Sequence, residues 1–256
     1  MRVAMLSDIH GNSIALDAVL ADIAVQGPID EYWLLGDYAA IGFDPVGCLE
    51  RVAVLPNAVF TRGNTDRYLV ESLALDAEFD GFDTEKARAI AELHISFAWT
   101  QGYLRAIPKW LDWLKSLPLE HRVTLPDGTR FLGVHSSPGS DDSSGLHPEL
   151  SKEALRKLFG EAEADIVCVG HTHYHMEANV DGIRLINLGS VSNPFPPELR
   201  ASYVLLEANE EATKLEHYFV EYDHEAVIEA TAKIDHPEIE RITRFMRGEV
   251  KAGWMR

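Results

Sequence analysis

The residues of this chain whose types and spacing can do chemistry fall in five short stretches, each an apolar run ending in Gly, Asp, Asn or His. The first is Met5–Asn12 (MLSDIHGN), where Asp8 and His10 stand two apart at the end of a strand-like run. Alone, such a D-x-H pair reads as an Asx turn beside a solvent-exposed histidine. Four more stretches repeat the design: Leu34–Asp37 (LLGD), Val59–Asp66 (VFTRGNTD), Phe131–His135 (FLGVH) and Ile166–His173 (IVCVGHTH). Together they offer Asp8, His10, Asp37, Asn64, His135, His171 and His173. That set is too large for one tetrahedral cation and suits two adjacent divalent ions sharing a carboxylate, about 3.5–4 Å apart. Imidazole and oxygen donors without a thiolate favour Mn, Fe, Ni or Zn over Ca.

These donors need elements that bring them to one place. Arg2–Leu6 reads as a strand, and Ser13–Val25 as a helix with Leu16, Val19, Leu20 and Ile23 on one face, Asn12 or Ser13 as its cap and Gly27-Pro28 as its stop. Strand 31–35, helix 45–54 and strand 58–62 continue the alternation, which predicts βαβ units and a largely parallel sheet. Donors at strand ends then converge at the carboxyl edge of that sheet. From 83 to 115 the pattern is helical almost throughout, with Phe97, Trp99, Tyr103, Trp110 and Trp113 packing it onto the main core or, alternatively, building a cap. Pro126-Asp127-Gly128 and Asp181-Gly182 mark hairpins (121–125 with 129–134, 176–180 with 183–187), and 203–207 with 215–220 makes a third, so the sheets must be mixed. A helix over 151–159 and a strand over 165–169 complete the middle, and 223–248 reads as an amphipathic helical tail broken at Pro237.

With 256 residues and 46% hydrophobic content the chain can bury a large core. It is expected to be a single domain over 1–256, with a helical insertion or cap at about 83–116 and a helical C-terminal tail at about 223–256. The net charge of −18 repels nucleic-acid phosphates, which excludes duplex binding as an expectation. Cys48 and Cys168 lie in apolar surroundings outside any CxxC pattern and read as buried hydrophobes in a reducing compartment. Neither a signal peptide nor a membrane-spanning apolar run is indicated, so the expected location is the cytoplasm and no membrane partner is expected. Nothing in the residues sets the oligomeric state.

The order D-x-H, G-D, G-N, a later G-x-H and then G-H-x-H resembles the calcineurin-like metallophosphoesterase superfamily, and within it the short bacterial and archaeal phosphodiesterase-like proteins, which share GFDP after Gly36-Asp37 and INLGSV after the last histidines. The resemblance covers about three quarters of the chain, residues 8 to 173 and a little beyond, and leaves out the tail. It implies an α/β (mixed) fold, a four-layer αββα sandwich of two mixed β-sheets flanked by helices, with a binuclear centre at the strand ends. Asp8, His10 and His173 would hold one metal, Asn64, His135 and His171 the other, and Asp37 would bridge them. A hydroxide between the metals would attack phosphorus in line on a small phosphodiester. A phosphomonoesterase, a dinucleoside-polyphosphate hydrolase and a non-catalytic protein-interaction scaffold are the alternatives within this superfamily.

The family's G-N-H-[DE] block reads Gly63-Asn64-Thr65-Asp66 here, so the histidine that serves the leaving group is replaced by a threonine that cannot act as an acid near pH 7. Asp66 is expected to orient a neighbouring ligand. His175, two beyond His173, reads either as a partly exposed strand residue or as a substrate contact and proton donor. His94, His121, His147, His217, His224 and His236 have no motif context. Tyr38, Phe43 and Asp44 sit where they can wall a pocket, and Asn193 and Pro194 read as a turn closing back toward the site.

Overall fold

The computed structural model describes residues 1–71 and 84–252, with the side chains of 84–90 outside it. The first residue of the expected insertion and the last four of the tail therefore lie beyond the described residues. The elements in order are β1 (Arg2–Leu6), α1 (Ser13–Val25), β2 (Glu31–Leu34), α2 (Pro45–Ala53), β3 (Ala58–Phe60), α3 (Asn64–Val70), α4 (Thr84–Arg105), α5 (Pro108–Ser116), β4 (Glu120–Thr124), β5 (Arg130–Val134), α6 (Lys152–Phe159), β6 (Ile166–Val169), β7 (Met176–Val180), β8 (Ile183–Asn187), β9 (Ala201–Ala208), β10 (Thr213–Val220), α7 (His224–Lys233) and α8 (Ile239–Met246).

The strands form two five-stranded sheets, ordered β10-β9-β1-β2-β3 and β4-β5-β6-β8-β7. In the first, β1, β2 and β3 run parallel, and β9 is antiparallel to both of its neighbours, β1 and β10. In the second, β5, β6 and β8 run parallel while β4 and β7 are antiparallel. Both sheets are mixed, as the hairpin signals require.

Period-two alternation along β1 shows why the sheets stack. Val3 and Met5 face a core shared with Trp33, Phe131, Cys168, Ile186 and Val204, which lies between the sheets. Ala4 and Leu6 face the opposite way, into a core with Leu16, Val19 and Ile23 of α1 and Cys48, Leu49 and Val52 of α2. On the far side of the second sheet, Leu132, Val134, Val167 and Val169 pack with Phe159 of α6. Helix, sheet, sheet, helix is thus the layer order. The insertion joins the α1/α2 layer through Phe97, Leu104, Trp110 and Leu114, with Trp113 against Tyr38 and Phe60. Most of its aromatic density is packing. Pro108 at the first turn of α5 separates it from α4, so the long helical run is two helices. Among the described residues no helix is long and apolar enough to cross a membrane.

Helix starts are fixed by the loops that leave the strand ends. The Asn12 side chain accepts from the Ala15 N–H at 3.1 Å to begin α1, and Asp44 accepts from the Gly47 N–H at 3.0 Å to begin α2. The chain therefore passes from β1 or β2 through a donor-bearing loop directly into a capped helix. Helix α3 was not expected from the pattern, where β3 and Gly63-Asn64 were followed by no element; the strand also stops at Phe60 instead of Arg62.

Candidate metal centre

The carboxyl ends of β1, β2, β3, β5 and β6 meet at one edge shared by both sheets, and all seven expected donors stand there. Asp8, His10, Asp37, His171 and His173 have positive φ angles of 57°, 47°, 61°, 68° and 57°. A non-glycine residue in that region costs on the order of 1–3 kcal/mol and is kept where a side chain must be aimed. The bends also demand close approach. A Cβ on Gly63 would lie 2.0 Å from Asp37 Oδ1, and one on Gly170 would lie 2.0 Å from Ser7 Oγ and 2.3 Å from Asp8 Oδ2. Only glycine fits in front of these donors.

Two clusters result. The ligand atoms of Asp8, His10 and His173 lie within 4.8 Å of one another, as do those of Asp8, Asp37 and His135. His173 Nε2 is 3.2 Å and His10 Nε2 3.6 Å from Asp8 Oδ1, and the two ring nitrogens are 3.0 Å apart. On the other side, Asn64 Oδ1 is 3.1 Å from both His135 Nε2 and His171 Nδ1. Asp37 Oδ2 stands between the clusters, 3.6 Å from His10 Nε2 and 3.3 Å from His135 Nε2.

Backbone carbonyls set the tautomers. His10 Nδ1 donates to Ala40 O at 3.2 Å, His135 Nδ1 to Leu35 O at 2.6 Å and His173 Nδ1 to Asn193 O at 3.0 Å, which turns each Nε2 toward the centre as the atom available to a cation. His171 is reversed: Nε2 donates to Ser143 O at 2.9 Å and Nδ1 faces inward. The two carboxylates are tied by backbone N–H groups, Asp8 Oδ2 by His171 at 3.0 Å and Asp37 Oδ1 by Thr65 at 3.0 Å.

This arrangement fits a cation. Asp8 Oδ1 is buried and has no hydrogen-bond partner, and beside it the Nε2 atoms of His10 and His173 lie only 3.0 Å apart. Acceptors converging in a buried space call for positive charge. The electrostatics say the same. Burial opposes ionisation of Asp8, yet His173 and His10 hold its carboxyl well below the ordinary range; burial likewise opposes Asp37, which His135 brings down to about 2. Burial would lower His135, but the Asp37 charge drives it up to about 10, and Asp8 raises His173 against the same penalty. His171 goes down, through burial and the nearby His135.

Asp66 lies beneath the centre, fully buried, and accepts the N–H groups of Asp37 at 2.8 Å, Tyr38 at 3.0 Å and Gly63 at 2.8 Å. It clamps the loop after β2 to the start of α3 and touches no space open to a substrate. Thr65 is 5% exposed, and its hydroxyl is buried without a partner. His175 is turned elsewhere: its ring meets Phe219 at 4.7 Å and His217 at 6.0 Å. A spacing of two keeps side chains on one side only in an extended chain, and the positive φ of His173 breaks that rule. Phe43 packs with α7 and α8.

Most of the site's other neighbours have no signature in the sequence. The turn at Asn193 does close back on the site, through its carbonyl on His173, and Phe195 stacks on the His173 ring at 5.9 Å. The tail reaches the same loop, with the Tyr222 hydroxyl donating to Ser192 O at 2.7 Å and Phe245 against Phe195 at 5.8 Å. At the opposite rim, Arg62 and Arg67 both pair with Asp141, at 2.9 Å each.

A family model for the calcineurin-like phosphoesterase superfamily domain matches residues 1–211. An uncharacterized protein of Methanocaldococcus jannaschii is 30% identical over 253 residues, covering 92% of this chain and 94% of that protein. The crystal structure of a metallophosphoesterase from Sphaerobacter thermophilus superposes with a TM-score of 0.74 at 26% identity, covering 98% of this chain and 99% of that one. A hypothetical protein from Pyrococcus horikoshii OT3 superposes with a TM-score of 0.78 at 22% identity, covering 96% and 97%.

Proposed function

The chain belongs to the calcineurin-like phosphoesterase superfamily, and from that membership and the geometry of the strand ends we propose that it is a binuclear metal-dependent phosphoesterase acting on a small phosphodiester. The observation that carries the reading is the convergence of bare ligand atoms in two clusters with Asp37 Oδ2 facing both. Asp8, His10 and His173 would hold one cation, Asn64, His135 and His171 the other, and Asp37 would serve both. Two divalent cations of the Mn, Fe, Ni or Zn type supply Lewis-acid charge and a water acidic enough to ionise near neutrality.

The chain's own contribution is preorganisation. Backbone carbonyls hold each imidazole in one tautomer, backbone N–H groups hold each carboxylate, and Asp66 holds the loop that carries Asp37. Displacement at phosphorus is in line: an oxygen from water bonds to phosphorus as the bond to the leaving alcohol breaks. A singly charged diester suits the surroundings, because Arg62 and Arg67 are spent on Asp141 and the chain carries a net charge of −18. A polyphosphate would need free cations at that rim. Retention of all seven donors favours an enzyme over a scaffold. The two buried, unpaired cysteines are compatible with a reducing cytoplasm.

Metal-stripped protein should leave bis-p-nitrophenyl phosphate intact, and added manganese should restore turnover. Asp37→Asn should lose manganese and turnover together. Manganese-loaded wild-type protein that leaves every aryl diester untouched would overturn the reading.

A further inference from the structure

The two candidate cation positions are supported by different parts of the chain. His135 and His171 rest on the carbonyls of Leu35 and Ser143, at the end of β2 and in the loop after β5. His173 rests on the carbonyl of Asn193, in a loop that the C-terminal tail contacts. That tail, α7 and α8, lies beyond residues 1–211, the span matched by the family model.

The residue after Asn193 shows why its carbonyl needs support. Pro194 has no N–H, so the peptide that carries Asn193 O has no donor of its own to fix it. Its direction is set by the preceding peptide, which is planar and held at both ends. The Asn193 N–H donates to Ser190 Oγ at 2.9 Å, and the Ser192 carbonyl accepts from the Tyr222 hydroxyl at 2.7 Å. Ser190 Oγ in turn donates to Asp8 O at 3.0 Å, so one loop ties together two donors of the same position.

A second path runs through rings. Phe195 stacks on the His173 imidazole at 5.9 Å with 27° between the planes, and Phe245 of α8 backs Phe195 at 5.8 Å. The tail is itself anchored: Ile242 and Met246 pack with Val227, with Ile14 of α1 and with Phe43, and His224 Nδ1 donates to Met246 O at 2.8 Å. Phe43 follows Ala40 in the loop after β2, and the Ala40 carbonyl holds His10. Both paths from the tail therefore end on His173, and its packing reaches the loop that holds His10.

We propose that Tyr222 and Phe245 are positioning residues that hold His173 in place through the 192–195 loop, so that the C-terminal tail sets the affinity of the Asp8/His10/His173 position and not of its neighbour. The inference rests on the binuclear reading above, and its test is metal binding without substrate. Manganese is titrated calorimetrically into metal-stripped wild type, Tyr222→Phe and Phe245→Leu, and into the same two substitutions made in His171→Ala and His173→Ala backgrounds. Tyr222→Phe removes only a hydroxyl, and Phe245→Leu keeps an apolar side chain while removing the ring.

Wild type should bind two equivalents. In each tail variant one of them should weaken by about 10-fold, the low end of what losing an outer partner of a metal ligand costs, while the other keeps its affinity. The equivalent that remains in His171→Ala should weaken by the same factor, and the one that remains in His173→Ala should not respond. Thermal unfolding of the metal-free variants reports separately on the fold. Unchanged binding in both tail variants overturns the proposal, as does equal weakening of both equivalents or a loss of the same size in the His173→Ala background. A wild type that binds fewer than two equivalents overturns the binuclear reading instead, and the proposal with it.

Discussion

Protons and cations compete for the same lone pairs at this site. Without metal, the Asp37 charge raises His135 to about 10 against the penalty of burial, so the ring is protonated at pH 7. A metal ligand must be neutral imidazole, and cation uptake therefore expels that proton. Metal affinity should rise with pH up to about 10, where the ring is already bare. Calorimetry with manganese at pH 7 in two buffers of different ionisation enthalpy should give a buffer-dependent heat equivalent to about one proton or more; heats independent of buffer would contradict this. The leaving group is the second residue-scale test. Thr65 cannot donate near pH 7, and His175 is engaged with Phe219 and His217. Aryl diesters should be cleaved faster than alkyl diesters by roughly the 10²–10⁴ that general-acid help is worth. Equal rates on both would mean that a proton donor is in place. The seven donors were legible because a glycine or a short polar step after an apolar run marks each strand end. The carbonyls of Leu35, Ala40, Ser143 and Asn193 were not, because every residue has one and only the folded path selects which meets an imidazole.

Elements carry the donors with unequal visibility. Apolar runs and turn residues marked the strands and most helices, but α3 is seven residues long, mostly polar or charged at its start, and has no side-chain hydrogen bond at its N-cap. What starts it is Asp66, whose carboxylate takes the Gly63 N–H while also holding Asp37 and Tyr38. Burial and the Asp37 charge push Asp66 up to about 7, against the pull of those N–H groups. Asp66→Ala would leave three buried N–H groups without partners and should cost roughly 3 kcal/mol or more at 1–3 kcal/mol for each unsatisfied group. Urea denaturation of the metal-free protein measures this, and a loss below about 1 kcal/mol would show that water or a shifted loop replaces the carboxylate. The tail was legible as amphipathic helix but not as a neighbour of the site. Its docking depends on Tyr222 meeting Ser192 O and on Phe245 meeting Phe195, contacts between segments far apart in sequence.

For the molecule as a whole, a charge of −18 is large, and the strand ends gather two buried carboxylates within one small volume. Four imidazoles with their second nitrogens already committed surround those carboxylates, so the fold has built a receptor for positive charge before any substrate arrives. The two-sheet sandwich makes this possible, since parallel strands from both sheets end at a common edge. A binuclear hydrolase requires that this receptor take two cations and that both be needed for hydrolysis. Turnover of bis-p-nitrophenyl phosphate by metal-stripped protein should be followed while manganese is added in sub-stoichiometric steps at a protein concentration well above the dissociation constants. The rate should start at background and level off at two equivalents per chain. A plateau at one equivalent, or no turnover with both equivalents bound, would contradict it.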